Sequence, residues 1–218
     1  MTDSGRFASS QGEWGRIRVL GLGGSLRQPS QSETALRMAL RGAEDAGAVT
    51  EVFTAGNLDL PLYPGPHSSG ASGAGGRERI DALLAAARRA DGLIFASPAY
   101  HGTVSGTVKN AIDYLQSLAD DDLPYLDGRA VGVLSTGDGV QATVQTVDTL
   151  RNIAHALRAW PTPLGVTVHE AARSLRDGKV HDEQTAALLR TLGAQVVEFV
   201  RARRALGMSG AVRERSPI

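Results

Sequence analysis

The chain alternates five times between a short apolar run and a longer stretch with apolar residues at helical spacing, and this alternation restricts the fold more than any other feature. The runs are Ile17–Gly23, Val49–Thr54, Gly92–Ser97 ending at Pro98, Ala130–Ser135 and Thr162–Val168. The first helix is expected over Ser32–Ala46, with Ala35, Leu36, Ala39, Leu40 and Ala43 on one face and Gly47 as its stop. Further helices are expected over Arg77–Ala90, Ser105–Leu118, Gln141–Ala159 and Asp182–Ala205. Strands that are apolar throughout are buried on both faces, which is the pattern of a parallel sheet covered by helices on each side. Right-handed crossovers then give an α/β, doubly wound, five-stranded sheet of order 2-1-3-4-5.

That order puts a crevice between the C-terminal ends of strands one and three. Strand one runs into Gly23-Gly24-Ser25-Leu26-Arg27-Gln28-Pro29-Ser30-Gln31-Ser32-Glu33, where hydroxyls surround one guanidinium just before a helix begins. A helix N-terminus offers unpaired N–H groups and the positive end of the dipole, so this loop reads as a phosphate cradle. It is neither of two familiar relatives. Leu26 stands where a dinucleotide fingerprint needs its third glycine, and no lysine completes a P-loop. A loop with side-chain hydroxyls is closer to the way mononucleotides such as FMN are held. The alternative is a simple helix cap, because Ser30 with Glu33 three residues on forms a capping box by itself.

Composition narrows the function classes. With 218 residues the chain suits one domain with a full core, expected over 16–207 between disordered segments 1–15 and 208–218. The 23 basic and 23 acidic residues cancel, so no net field draws the chain to nucleic acid or a membrane surface. The absence of cysteine excludes thiol catalysis and cysteine metal sites, and no two histidines have the spacing of a helical zinc site. No apolar signal core or membrane-length run is present, so the expected location is cytoplasmic. The Pro-, Gly- and Ser-rich segment Gly56–Gly76 reads as a disordered insertion or a lid, disorder being favoured because only Leu60-Pro61-Leu62-Tyr63 has anything to bury.

Two stretches resemble the NAD(P)H-dependent FMN reductases: Gly24-Ser25-Leu26-Arg27 with Ser30, and Ser97-Pro98-Ala99-Tyr100-His101-Gly102 running through Ser105-Gly106 to Val108-Lys109-Asn110-Ala111-Ile112-Asp113. The resemblance covers roughly Ile17 to Val168 and implies a flavodoxin-like fold, FMN as cofactor and NADPH or NADH as electron donor. It assigns Ser25, Arg27, Ser30 and Ser32 to the phosphate. Pro98, Ala99, Tyr100, His101 and Gly102 would line the isoalloxazine ring, and Ser135, Gly137 and Gly139 its pyrimidine side. The chain departs from the family in having Ala99 where Glu is usual and His101 where Asn is common. Val104 stands where sulfonate-type relatives insert a Tyr. No catalytic side chain is expected, since a flavin accepts hydride itself and needs from the protein only position, polarity and exclusion of water.

Several residues carry two readings at this stage. Tyr100 either stacks on flavin or substrate or packs on the domain surface. His101 either donates to the flavin or merely tolerates an unusual backbone angle. Lys109 pairs across a subunit interface, as the family implies, or simply solvates its helix, the second being favoured. The Arg201–Arg204 cluster complements the helix dipole, and Asp120–Asp122 is a solvated turn. Val144, Val147 and Leu150 are expected to be exposed beside the flavin edge, and with the resemblance they suggest a homodimer or homotetramer. The expected acceptor is a small molecule such as free flavin, a quinone, an azo compound or oxygen, with a monooxygenase as a possible partner. The rival functions are a non-catalytic flavin electron carrier and an interaction protein.

Overall fold

The computed structural model describes residues 15–26, 29–65 and 73–207. The segments expected to be disordered at the two ends, apart from Gly15, therefore lie outside the described residues, and so do Arg27 and the middle of the Gly56–Gly76 segment. The order is β1 (Arg18–Gly23), α1 (Gln31–Asp45), β2 (Val49–Phe53), α2 (Ala74–Arg89), β3 (Gly92–Tyr100), β4 (Thr103–Val104) and α3 (Gly106–Asp113). Then come β5 (Ala130–Thr136), α4 (Val140–Ala156), β6 (Trp160–Val168), α5 (Ala171–Ser174), β7 (Leu175–Arg176), β8 (Lys179–Val180) and α6 (Glu183–Ala205). The main sheet runs β2-β1-β3-β5-β6, all parallel, with β4 turned back antiparallel on β3. Without that two-residue β4, this is the 2-1-3-4-5 winding expected from the sequence.

The strands alternate between two cores, as a pleat requires. Leu93 and Phe95 face the side covered by α2, α3 and α4, joined there by Leu20, Leu22, Val131, Val133, Val108 and Leu115. Ile94 and Ala96 face the α1 and α6 side with Val19, Leu36, Leu134, Leu192 and Val196. Each fully buried Leu, Ile, Val or Phe contributes about 1.5–3 kcal/mol relative to exposure, so these two layers carry the fold. Val147 and Leu150 belong to the first core, at 3% and 0% exposure, and are not free as the sequence suggested; of the three only Val144 is exposed. Val147, Leu150 and Ala154 form the i, i+3, i+7 stripe that faces inward. Leu58 is buried too, so the segment after β2 has more to bury than its composition implies.

The opposite edge of the sheet is tied by charge. Asp91 accepts the Arg18 N–H at 2.8 Å and pairs with Arg204 at 2.8 Å, which gives the last arginine cluster a tertiary role beyond its dipole. Arg129 donates to the carbonyls of Ala90 (2.8 Å), Tyr125 (2.7 Å) and Arg88 (3.3 Å), closing the end of α2 onto the start of β5. Burial pulls the Arg129 pKa down, and Asp91, Asp121 and Asp127 oppose that shift. Asp121 of the acidic turn pairs with Arg88 at 2.9 Å. Lys109 pairs with Asp113 at 2.6 Å along its own helix.

Helices α1 and α6 cross with their backbones in contact. A Cβ on Gly193 would lie 1.9 Å from the Ala39 carbonyl oxygen, and one on Gly42 would lie 2.1 Å from that of Arg190. The helices must separate to accept any side chain there. Gly193→Ala is therefore expected to cost about 1–3 kcal/mol in urea unfolding, as overpacked cores do. An unchanged midpoint would show that the crossing is looser than its geometry.

Candidate active site

Strand β1 ends on a close approach to β3. A Cβ on Gly23 would stand 2.0 Å from the Ala96 carbonyl oxygen, so only glycine fits, and the next N–H, of Gly24, donates to that same oxygen at 3.2 Å. The chain then turns into a cluster of buried hydroxyls. Ser30 Oγ accepts the N–H of Ser25 and of Glu33, each at 3.2 Å, and lies 3.2 Å from Ser32 Oγ. With both acceptor directions taken, Ser30 has its proton to give to Ser32. Ser30 is thus the N-cap of α1 and the organiser of the loop at once. The capping box forms only in its forward half, because the Glu33 carboxylate turns along the helix to Arg37 at 2.8 Å. That pairing also removes an unscreened negative charge from the mouth of the loop.

Strand β3 runs on through Ser97-Pro98-Ala99 to Tyr100, three residues beyond the expected end, because β4 folds back on it. Tyr100 pairs with Thr103, leaving His101-Gly102 as a two-residue turn with φ of 52° and 79°. Two positive φ values in a hairpin of this length define a type I′ turn, whose favoured first residues are Asn, Asp and Gly. His101 therefore stands where the backbone demands the left-handed region, the second of its two sequence readings. Ser97 fixes the base of the hairpin: its hydroxyl donates to the Pro98 carbonyl at 2.8 Å and accepts the Ser105 N–H at 2.9 Å. Ser105 in turn caps α3 by accepting the Val108 N–H at 3.4 Å.

A side-chain hydrogen bond joins these two loops. Tyr100 Oη lies 3.0 Å from Ser25 Oγ, across the gap between the ends of β1 and β3. The ring is half exposed and its hydroxyl reaches toward the hydroxyl cradle. The third loop closes the same edge. Gly137 N–H donates to Val168 O at 3.0 Å, and Ala171 N–H donates to Gly137 O at 3.2 Å, so the end of β5 is sewn to the end of β6. A Cβ at Gly137 would meet the Ala99 Cβ at 3.2 Å, which places this loop directly against the hairpin. Gly139 is the N-cap of α4 and is exposed. Ser135 differs from the other expected residues: its hydroxyl is fully buried and unpartnered beneath the loops, so it does not open onto the crevice.

The structure thus brings Ser25, Ser30 and Ser32, Pro98 to Gly102, and Gly137 to Gly139 to one edge, while Arg27 lies outside the described residues. Among the described residues no group of His, Asp or Glu is arranged to hold a metal ion. The arrangement puts hydroxyl and backbone donors at one end of this edge, and the His101-Gly102 hairpin packed against the Gly137 loop at the other. The sequence reading assigns no role to Asn110 or Tyr114, although both hold the segment after β2; an amide on the helix that follows the hairpin was the available signal.

The turn makes a stability prediction. His101→Asn keeps or slightly raises stability, whereas His101→Val lowers it by about 1–3 kcal/mol, because a β-branched side chain is penalised at positive φ. Equal unfolding midpoints for the two variants would contradict the turn assignment.

Comparison with known proteins agrees with this geometry. The family model of NADPH-dependent FMN reductase matches residues 17–173. An FMN-dependent NADPH-azoreductase of Staphylococcus saprophyticus is 29% identical over 177 residues, covering 77% of this chain and 87% of that protein. An NAD(P)H-dependent FMN reductase of Pseudomonas aeruginosa is 27% identical over 175 residues, covering 79% and 89%. Among solved structures, a flavoenzyme NAD(P)H:(acceptor) oxidoreductase from Paracoccus denitrificans superposes with a TM-score of 0.66 at 23% identity, covering 85% of this chain and 98% of that one. A match over most of the folded chain, on the elements that build the crevice, makes this protein a member of the NADPH-dependent FMN reductase family, a flavodoxin-like NAD(P)H-dependent FMN oxidoreductase.

Proposed function

We propose that the crevice holds FMN with its phosphate in the Ser25–Ser32 loop and its ring between the Pro98–Gly102 hairpin and the Gly137–Gly139 loop. The observation that carries this reading is the hydroxyl cradle at the start of α1, joined to the hairpin by the Ser25–Tyr100 bond. The donor set suits a phosphate monoester: Ser25 and Ser32 are hydroxyl donors beside the unpaired N–H groups and positive end of a 15-residue helix. Arg27, on the same loop in sequence, would add a guanidinium fork. FMN held there would supply hydride transfer between NAD(P)H and an acceptor. The residues of this chain bind, orient and exclude water. Backbone groups of the hairpin set the ring plane, and anchoring the phosphate fixes the ring's position in that plane.

The acceptor proposed is a small molecule: free flavin, a quinone, an azo compound or oxygen. Service as the reductase half of a two-component monooxygenase is the version proposed, although Val104 stands where sulfonate-type relatives insert a Tyr. A homodimer or homotetramer built around α3 and α4 and a cytoplasmic location complete the reading. Exposed Val140 and Val144 support such an interface, while Val147 and Leu150 do not. An electron carrier that docks by charge is less well supported, because 23 basic residues cancel 23 acidic ones.

The first test is an absorbance spectrum of the protein reconstituted with FMN, repeated after anaerobic addition of NADPH or NADH. The flavin bands bleach, and the faster donor is the physiological one. The second is the binding of FMN against riboflavin. Ser32→Ala is expected to weaken FMN by about 10-fold or more, the loss of a hydrogen bond to a charged group, and to leave riboflavin unchanged. Equal losses for both ligands would move the phosphate elsewhere.

A further inference from the structure

We infer that Asn110 is a positioning residue, holding the Leu60–Tyr63 segment as a wall of the crevice and thereby setting how tightly the flavin's reaction partners bind. The inference rests on the FMN reading above. The segment is a strap fastened by its backbone. Asn110 Oδ1 accepts the Tyr63 N–H at 2.8 Å, and Asn110 Nδ2 donates to the carbonyls of Pro61 at 2.9 Å and Leu60 at 3.4 Å. One carboxamide thus uses both its acceptor and its donor end on three residues of the strap, which fixes its orientation. Tyr114, four residues further along, donates from Oη to the Pro61 carbonyl at 3.0 Å and meets the Tyr63 ring edge-on at 5.2 Å.

Side-chain burial does little of this holding at the strap's tip. Leu62 is 85% exposed, and Pro61 has no N–H, so its carbonyl is the only backbone handle there. The anchor is continuous with the site. Ser97 Oγ holds the Ser105 N–H, Ser105 caps α3, and Asn110 stands on α3 about 7 Å along its axis from that cap. Topology supplies the rest of the placement. The strap leaves β2, which lies two strands and therefore about 10 Å from β3, and it ends on the helix that follows β3. Its root lies at the end of β1, where Thr54 Cβ stands 3.7 Å from the place of a Cβ on Gly24, and its far end is held on α3 by Asn110. Leu58, at its root, shares a core with Val104 and Val108 beneath the hairpin.

The experiment compares full-length wild type, Asn110→Leu and Asn110→Asp, each loaded with FMN, by amide exchange of 60–63, FMN affinity and steady-state kinetics with NADPH and 1,4-benzoquinone. Asn110→Leu keeps the volume and loses all three bonds; Asn110→Asp keeps the acceptor for Tyr63 and loses the donor. The expected result for Asn110→Leu is exchange faster by about 10-fold, FMN affinity within about 2-fold, and KM for NADPH or the quinone up about 5–10-fold with kcat within about 2-fold, as for lost positioning bonds. Asn110→Asp falls between the two. Where Asn110→Leu does not fold, Tyr114→Phe serves, with a smaller change in the same direction. Faster exchange with unchanged KM overturns the inference and leaves the FMN reading intact, and so does unchanged exchange. A wild type that takes up no FMN overturns both.

Discussion

The close approach of β1 to β3 at Gly23 is the constraint from which the site follows. Parallel neighbours normally keep their side chains apart by the pleat, yet a Cβ here would fall 2.0 Å from the Ala96 oxygen. With no side chain in the way, that same oxygen takes the Gly24 N–H, and the first loop is pinned to the third strand before it turns. The pin brings Ser25 within 3.0 Å of Tyr100 and so makes one site of two loops separated by 75 residues of sequence. The crossing point of a doubly wound sheet always offers a crevice. In this chain, a glycine decides how narrow it is.

A cradle built on a helix terminus is only as fixed as the helix. α1 is held by an apolar face, by its backbone contact with α6 at Gly42 and Gly193, and by Arg201 of α6, which donates to the Ala46 carbonyl at its C-cap. The same α6 reaches the far edge of the sheet through Arg204, whose partner Asp91 also holds the first N–H of β1. The strand that leads into the hydroxyl loop is therefore clamped at its start by α6 and at its end by β3. Beyond those clamps Ser30 is set by two backbone donors, the N–H groups of Ser25 and Glu33, so its hydroxyl organises the loop.

Winding order, strands and helices were legible because each depends on local periodicity, and periodicity survives into the fold. What was not legible depends on contacts distant in sequence. Val147 and Leu150 look like surface residues when α4 is read beside a proposed interface, but with Ala154 they make the inward stripe, and only the position of β5 and β6 reveals which stripe that is. The Gly56–Gly76 segment reads as disorder because only Leu60-Pro61-Leu62-Tyr63 has anything to bury, yet its described first part is held by Asn110 and Tyr114, partners some fifty positions away that grip carbonyls and an N–H. Composition cannot register a fastening made to the backbone. Strand β3 outran its expected end for a related reason: Pro98 stops a helix and lacks a donor, but the strand continues past it into the hairpin.

The departures from the family pattern at residues 99 and 101 make sense on the same terms. His101 replaces a common Asn, and both rank among the non-glycine residues that most readily enter the left-handed region a type I′ turn requires. Ala99 replaces a common Glu, and its methyl lies where it would touch any side chain at Gly137, so the two small residues let the β5 loop close against the hairpin. Neither change disturbs the path of the chain through Pro98 to Gly102. A hairpin path fixed by its backbone can exchange the side chains along it, provided that φ, ψ and the distance between loops are kept. The hydroxyl end has no such freedom, because there the side chains themselves are the donors. The two ends of the crevice therefore constrain sequence differently: the cradle by residue type, the hairpin by conformation.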